Sequence, residues 1–369
     1  MSLFEEEGLV PVEAQEGIVQ KSSLSALSWQ VPEPVYRQHP ALSYSSLSTY
    51  QNEGIAVLTE HSFKSNAGMR FGSIVDTLLL EPEVFADRFV IIGPSRPNDD
   101  LLKVLEKCKE YLINNSAIHT DLSTFDRNVL ENIVEECGYG ASNWKLSTKV
   151  DKCINEGKDY FPYMFAKGEL ISKEDYNNAL KCKEVLLTHP FTAEYFNDSN
   201  LGKYQEAFNQ LKFVGTINKD GVDYTYRIMV DRLIVDHENK TIRQIDLKTT
   251  GKNEEDFPQS FLDFNYYIQA ELYRDVLLSV IKKDPYYSEY ALLPFTFIPI
   301  NRYNLSPIVY EYIPNPALER ILAYKKKKDY ITLTKEIMDF TTNPELQNYI
   351  KSKYSYDTIV NKGKKVITL

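Results

Sequence analysis

Apolar and polar positions change rhythm along this chain. "MRFGSIVDTLLLEP" (69–82) is apolar on nearly every side at helical spacing, which predicts a buried helix. "RFVIIG" (88–93) reads as a strand. From about 99 to 198 the pattern is helical, as in "SKEDYNNALKCKEVLLTHP" (172–190), where Ser172 and Asp175 stand at capping-box spacing. Earlier, "SYSSLSTYQNEG" (43–54) offers serine caps for a short helix ending near Gly54. Near residue 203 the rhythm becomes that of strands. "KYQEAFNQ", "LKFVGTIN", "VDYTYRIMVDRLIVD" and "TIRQIDLKTT" are four strand-like segments punctuated by turn signals such as "KDG" (219–221) and "HENK" (237–240). "FPQSFLDFNYYIQAELYRDVLLSVI" (257–281) predicts one long amphipathic helix. "YALLPFTFIPI" and "SPIVYEYI" predict two more strands, and helices close the chain. The class is α/β (α+β), with a central mixed sheet flanked by helices.

Composition is that of a globular protein of 369 residues, 43% hydrophobic and 25% charged, rich in Tyr and Phe. No apolar run reaches the length of a membrane span, and the acidic start "MSLFEEEGLV" lacks the basic region of a secretory signal. A cytoplasmic setting is expected. The net charge of −10 argues against coating nucleic acid by bulk attraction, though a local groove is compatible with it. The lysines at Lys325–Lys328 and in "NKGKK" (361–365) read as solvated faces. Cys108, Cys137, Cys153 and Cys182 form no CxxC and are expected to be reduced thiols, without a zinc or iron–sulfur site.

The chemistry concentrates in "IRQIDLKTTG" (242–251). Asp246 and Lys248 stand two residues apart, on one face of a strand. Alone, the pair is as readily a surface ion pair as an active centre. Asp231 ends the preceding strand, and an antiparallel turn through "DHENK" sets it beside Asp246. Glu206, on an earlier strand, is a candidate third carboxylate. Converging acids are costly to bury unpaired, and a divalent cation relieves that cost. Lys248 beside such an ion can orient water or stabilise charge at phosphorus. On the following helix Tyr266, Gln269 and Tyr273 share one face, which either looks onto the end of the sheet or packs in the core.

Asp231, Asp246-x-Lys248 and Gln269-x-x-x-Tyr273, in this order, resemble the PD-(D/E)XK nuclease superfamily. More narrowly they are similar to RecB-like and phage-type exonucleases. "HPALSYSSLSTY", "RFGSIVDTLLLEPEVFADRFVI" and "DLKTT" place the likeness nearest the exonuclease VIII (RecE)-like branch, over residues 36–313. The resemblance implies a restriction-endonuclease-like core at 36–313, with 99–198 as a helical insertion or subdomain. It leaves 1–35 as an N-terminal arm and 314–369 as a C-terminal helical segment.

Carried over residue by residue, the resemblance makes Glu206, Asp231 and Asp246 metal-binding carboxylates. It adds the Leu247 carbonyl as a further ligand of Mg²⁺ or Mn²⁺ and makes Lys248 the catalytic lysine. Gln269 and Tyr273 border the active site and contact DNA. Asp76 stands where relatives often have a metal-reaching histidine; a metal, or an arginine such as Arg70 or Arg88, satisfies it equally. Arg227 either contacts phosphate or balances the acids. With no cysteine after Cys182, no iron–sulfur cluster is expected. The implied activity is metal-dependent 5′→3′ digestion of linear duplex DNA to leave 3′ single strands for recombination. The implied setting is bacterial or phage-encoded, with a single-strand annealing protein as partner and a ring-shaped homo-oligomer. An endonuclease, a single-strand-specific enzyme and a non-catalytic DNA-binding module are the alternatives.

Overall fold

The computed structural model describes residues 22–54, 66–116 and 121–354. Most of the N-terminal arm and the "NKGKK" run lie outside them. At the centre is a six-stranded mixed sheet. Its path is β3 (Gln205–Lys219), β4 (Val222–Asp236), β5 (Thr241–Thr250), β7 (Phe295–Asn301) and β8 (Tyr310–Tyr312), with the two-residue β6 (Ala291–Leu292) also paired to β5. β3, β4 and β5 are antiparallel neighbours, and β5 and β7 run parallel. The β3–β4 hairpin closes through Asp220 and Gly221, with φ of 54° and 80°, the left-handed pair that a two-residue hairpin turn requires.

Two expectations shift here. "KYQEAFNQ" and "LKFVGTIN" are one strand, broken in conformation at Gln210, whose φ is +51°. Gln210 lies opposite Asp231, and neither enters the otherwise continuous β3–β4 register. Inward-facing residues change parity across this point, from Ile228 and Val230 to Leu233 and Val235. The predicted long helix is two, α7 (Phe257–Asp263) and α8 (Tyr266–Ile281), separated by Asn265 in the left-handed conformation with φ +58°.

One face of the sheet packs Phe213, Ile228, Leu233 and Phe297 against Leu272, Val276 and Leu277 of α8. At Gly215 of β3 an added Cβ would lie 3.1 Å from the Val276 carbonyl, so only glycine admits α8 this closely. The other face packs Ile245, Leu247, Ile298 and Ile300 against α2 (Ala67–Leu80) and α6 (Lys173–Thr188), through Phe71, Ile74, Val75, Cys182 and Leu186. The Ser172 cap forms as its sequence predicts, with the Asp175 amide donating to Ser172 Oγ at 2.9 Å. Likewise Ser43 caps α1 (Tyr44–Glu53), which ends at Gly54.

The 99–198 segment is not a single unit. Helices α3 (Asp99–Asn114), α4 (Arg127–Glu136) and α5 (Leu146–Gly157) share a separate core of Leu105, Cys108, Val134, Val150, Cys153 and Phe161. The parallel pair β1 (Phe89–Ile92) and β2 (Glu169–Ser172) brackets it, whereas α6 belongs to the layer on the central sheet. All four cysteines are free thiols; burial raises the three most enclosed, Cys153 to about 12 and Cys182 to about 11. Past the sheet, α9 (Pro316–Tyr324) and α10 (Tyr330–Thr342) follow, and among the described residues no helix is long and apolar enough to cross a membrane.

Candidate active site

The β4–β5 ladder stops at Arg232 opposite Ile245, so Asp231 and Asp246 are the first residues beyond it. On β5 the amide and carbonyl of alternate residues face alternate neighbours. Thr250 turns its carbonyl to the β7 side, accepting from the Arg302 amide at 2.9 Å, so Leu247 faces β4. With no backbone partner in register, the Leu247 amide donates to Asp231 Oδ2 at 3.0 Å. The Leu247 carbonyl points to the same edge. Splaying of two strands therefore opens a notch, and Asp231 enters it.

Asp246, 3% exposed, lies on the α8 side of the sheet. Its Oδ1 accepts from Gln269 Nε2 at 2.5 Å, and Lys248 Nζ stands 2.5 Å from its Oδ2. Lys248 in turn sits 5.0 Å from the centre of the Tyr266 ring. Of the two placements its spacing allows, the Gln269–Tyr273 helix face thus takes the one that looks onto the site. Tyr273 lines the same cleft, about 450 Å³ in volume, together with Asp76, Asp231, Asp246, Lys248 and Ser43.

Asp76 comes from α2. At Gly72, four residues earlier and so on the same helix face, an added Cβ would lie 3.0 Å from Thr249 Oγ1 of β5. Glycine lets the helix lie close, and Asp76 follows it into the cleft. Neither arginine offered as its partner pairs with it: Arg70 binds Glu169 at 2.8 Å, and Arg88 binds Glu33 and Glu81 at 2.6 and 3.2 Å. Arg227 also lines the cleft, yet its guanidinium donates to the Ala41 and Tyr36 carbonyls and lies over the Tyr36 ring, tying down the chain before α1.

Glu206 is not brought to the site. It pairs with Val235, four residues along β4 from Asp231, or roughly 13 Å at the usual strand rise. Its Oε2 lies 3.3 Å from His237 Nε2, and His237 Nδ1 meets the Tyr290 hydroxyl at 2.8 Å. The strand length between the residues, invisible to a count of carboxylates, separates them. The missed partner is Tyr44 of α1, which lines the cleft with Lys248 and whose hydroxyl donates to the Phe264 carbonyl at the α7–α8 break.

Electrostatics follow from this crowding. Burial raises the Asp231 carboxyl well above its usual range, and repulsion from Asp246 and Asp76 adds to it against Lys248 and the Leu247 amide. Asp76 is raised to about 7, first by burial; Lys248 opposes the rise and Asp246 adds to it. Burial alone would lower the Lys248 ammonium, but Asp246, Tyr266 and Asp231 hold it well above its ordinary value.

A divalent cation fits this donor set chemically. One lysine faces three carboxylates, the ion pair with Lys248 engages only Asp246, Gln269 Oε1 is buried without a hydrogen-bond partner, and carboxylate and carbonyl oxygens suit Mg²⁺ or Mn²⁺. Among the described residues, however, no three His, Cys, Asp or Glu side chains are already drawn to metal-holding spacing. Asp231 and Asp246 are instead bonded to Leu247, Gln269 and Lys248.

No protein-family model matches this chain, and no curated protein matches it. Among solved structures, one described as "Crystal structure of SSO0001" is 10% identical, over 87% of this chain and 96% of that one, with a TM-score of 0.24. A likeness at that score carries no argument about fold or function.

Proposed function

We propose that this chain is a metal-dependent deoxyribonuclease with a PD-(D/E)XK core, acting as an exonuclease on linear duplex DNA. The observation that carries the reading is the crowding of half-buried Asp76 and Asp231 and buried Asp246 around Lys248, at the parted end of two strands and inside an open cleft. Three neighbouring carboxylates with one ammonium are poorly suited to a purely structural role, since Lys248 pairs with Asp246 and leaves Asp76 and Asp231 to lose water without a cation of their own. Asp231, Asp246, Asp76 and the Leu247 carbonyl would hold the ion. When bound, a divalent ion supplies positive charge to the scissile phosphate and makes a water acidic near neutral pH. Lys248 positions that water and offsets charge developing at phosphorus. Gln269 fixes the carboxylate of Asp246, leaving its own carbonyl oxygen buried and without a hydrogen-bond partner.

The 5′→3′ polarity, the 3′ single-stranded product, a single-strand annealing partner and a ring of subunits belong to the resemblance and are proposed with it. So is a bacterial or phage-encoded cytoplasmic setting. The deciding experiment is a time course on linear duplex DNA labelled at either the 5′ or 3′ end, with closed circles alongside. Early release of 5′ label in Mg²⁺ or Mn²⁺, circles spared, is expected. Lys248→Ala and Asp246→Ala should each slow release about a hundredfold or more. Cut circles would make the chain an endonuclease. An Asp246→Ala protein as fast as wild type would remove the catalytic assignment.

A further inference from the structure

Two aromatic side chains stand exposed on either side of the Gly251–Lys252 turn, where β5 leaves the cleft: Phe264 at 48% and Tyr303 at 70%. Each has a cation against its ring. Lys252 Nζ lies 5.8 Å from the Phe264 centroid, and the Arg302 guanidinium 4.7 Å from that of Tyr303. Single exposed rings are ordinary, but these are carried on backbone held from several directions. Asn301, itself buried, donates to the Lys252 carbonyl at 2.8 Å and accepts from the Tyr303 amide at 2.8 Å. The Arg302 amide bonds Thr250, and Gly251 leaves just enough room for Tyr303, whose Cε2 would lie 3.3 Å from an added Cβ. On the other side the Phe264 carbonyl accepts from Tyr44 Oη at 2.6 Å and Ser48 Oγ at 2.9 Å.

The Phe264 side of this surface reaches Lys248 at the edge of the cleft. The Phe264 ring is 5.7 Å from that of Tyr266, the ring beneath Lys248, and a small cavity joins Lys248, Thr250, Phe264 and Tyr266. Flat exposed rings alternating with cations on fixed loops match a ligand that presents flat faces and regularly spaced negative charge. A single-stranded nucleic acid has both, whereas an apolar protein partner would leave Lys252 and Arg302 without partners. We propose that Phe264 and Tyr303, with Lys252 and Arg302, form a stacking platform for single-stranded DNA at the mouth of the cleft. That the strand is the one presented to Asp246 and Lys248 rests on the nuclease reading; the stacking site itself does not.

The test uses the full chain, in EDTA, with a single-stranded oligodeoxynucleotide carrying the fluorescent base 2-aminopurine, which stacking quenches. Wild type should bind and quench. Phe264→Ala/Tyr303→Ala should lose the quench and bind about tenfold or more weakly, while Tyr324→Ala, an exposed ring elsewhere, should behave as wild type. Lys252→Ala/Arg302→Ala should flatten the salt dependence of log affinity by about 0.7 for each cation removed. Quenching that persists in the double aromatic variant, or is missing in wild type, overturns the platform. A parallel digestion in Mg²⁺ separates the two ideas. Quenching by a protein that cuts no DNA keeps the platform and removes the nuclease reading. Cutting by a protein whose double variant still quenches does the reverse.

Discussion

The three aspartates of the cleft differ in what lies beside them. Asp246 has Lys248 and Gln269, Asp231 has the Leu247 amide, and Asp76 has no arginine although two stand nearby. Glu206, by contrast, belongs to a chain running through His237 to Tyr290 at the far end of the ladder. Substitution therefore separates the candidates. Asp76→Asn should lower metal-dependent DNA cleavage about tenfold or more, because a neutral amide loses the charge that a hard cation needs. Glu206→Gln should leave the rate within about twofold, since it lies roughly 13 Å along the strand from Asp231. Initial rates at saturating Mg²⁺ check both, and the opposite order would return Glu206 to the metal set.

At the scale of elements, close approaches aim the side chains. Gly72 lets α2 settle on β5 and so delivers Asp76; Gly215 lets α8 settle on β3, on the layer that presents Gln269 and Tyr273. Gly72→Val would place branched carbon atoms against Thr249 and displace the helix. The expected result is a loss of about 1–3 kcal/mol in stability from overpacking, measured by urea titration, and weaker Mg²⁺-dependent stabilisation as Asp76 moves. A variant with wild-type stability and metal response would show that Asp76 does not depend on that contact. Much of this scale is legible from the sequence. Ser43 and Ser172 cap where their spacing says, and the Asp220–Gly221 turn closes its hairpin. The strand break at Gln210 and the helix break at Asn265 were not, because neither residue type demands a left-handed backbone and only surrounding contacts impose it.

For the whole molecule, the crowded acids make metal-free stability depend on pH. Asp76 titrates near 4 when unfolded but near 7 when folded, so between these values the folded state holds a proton that the unfolded state has released. Stability from this group is complete below about pH 4 and is lost as pH rises through about 7. Asp231, raised in the same direction, adds to the effect. Thermal melts in EDTA should therefore fall from pH 5.5 to 8 more in wild type than in Asp76→Asn. Mg²⁺ or Mn²⁺ should raise the melting temperature more at pH 8 than at pH 5.5, since binding competes with the proton. Equal shifts at both pH values would contradict a metal site at Asp76.

By itself the sequence determined the periodicities, the turns, and the pairing of Asp246 with Lys248 and of Gln269 with Tyr273. All of these are relations across a few residues, where chain geometry leaves little choice. The tertiary structure decided which distant residues meet. It admitted Asp76 across some 170 positions of sequence to Asp246, excluded Glu206 from the next strand but one, and divided 99–198 between a separate helical core and the sheet layer. Those outcomes depend on where strands part and how closely helices settle. Packing fixes both, and packing is a property of the whole set of side chains rather than of any local pattern.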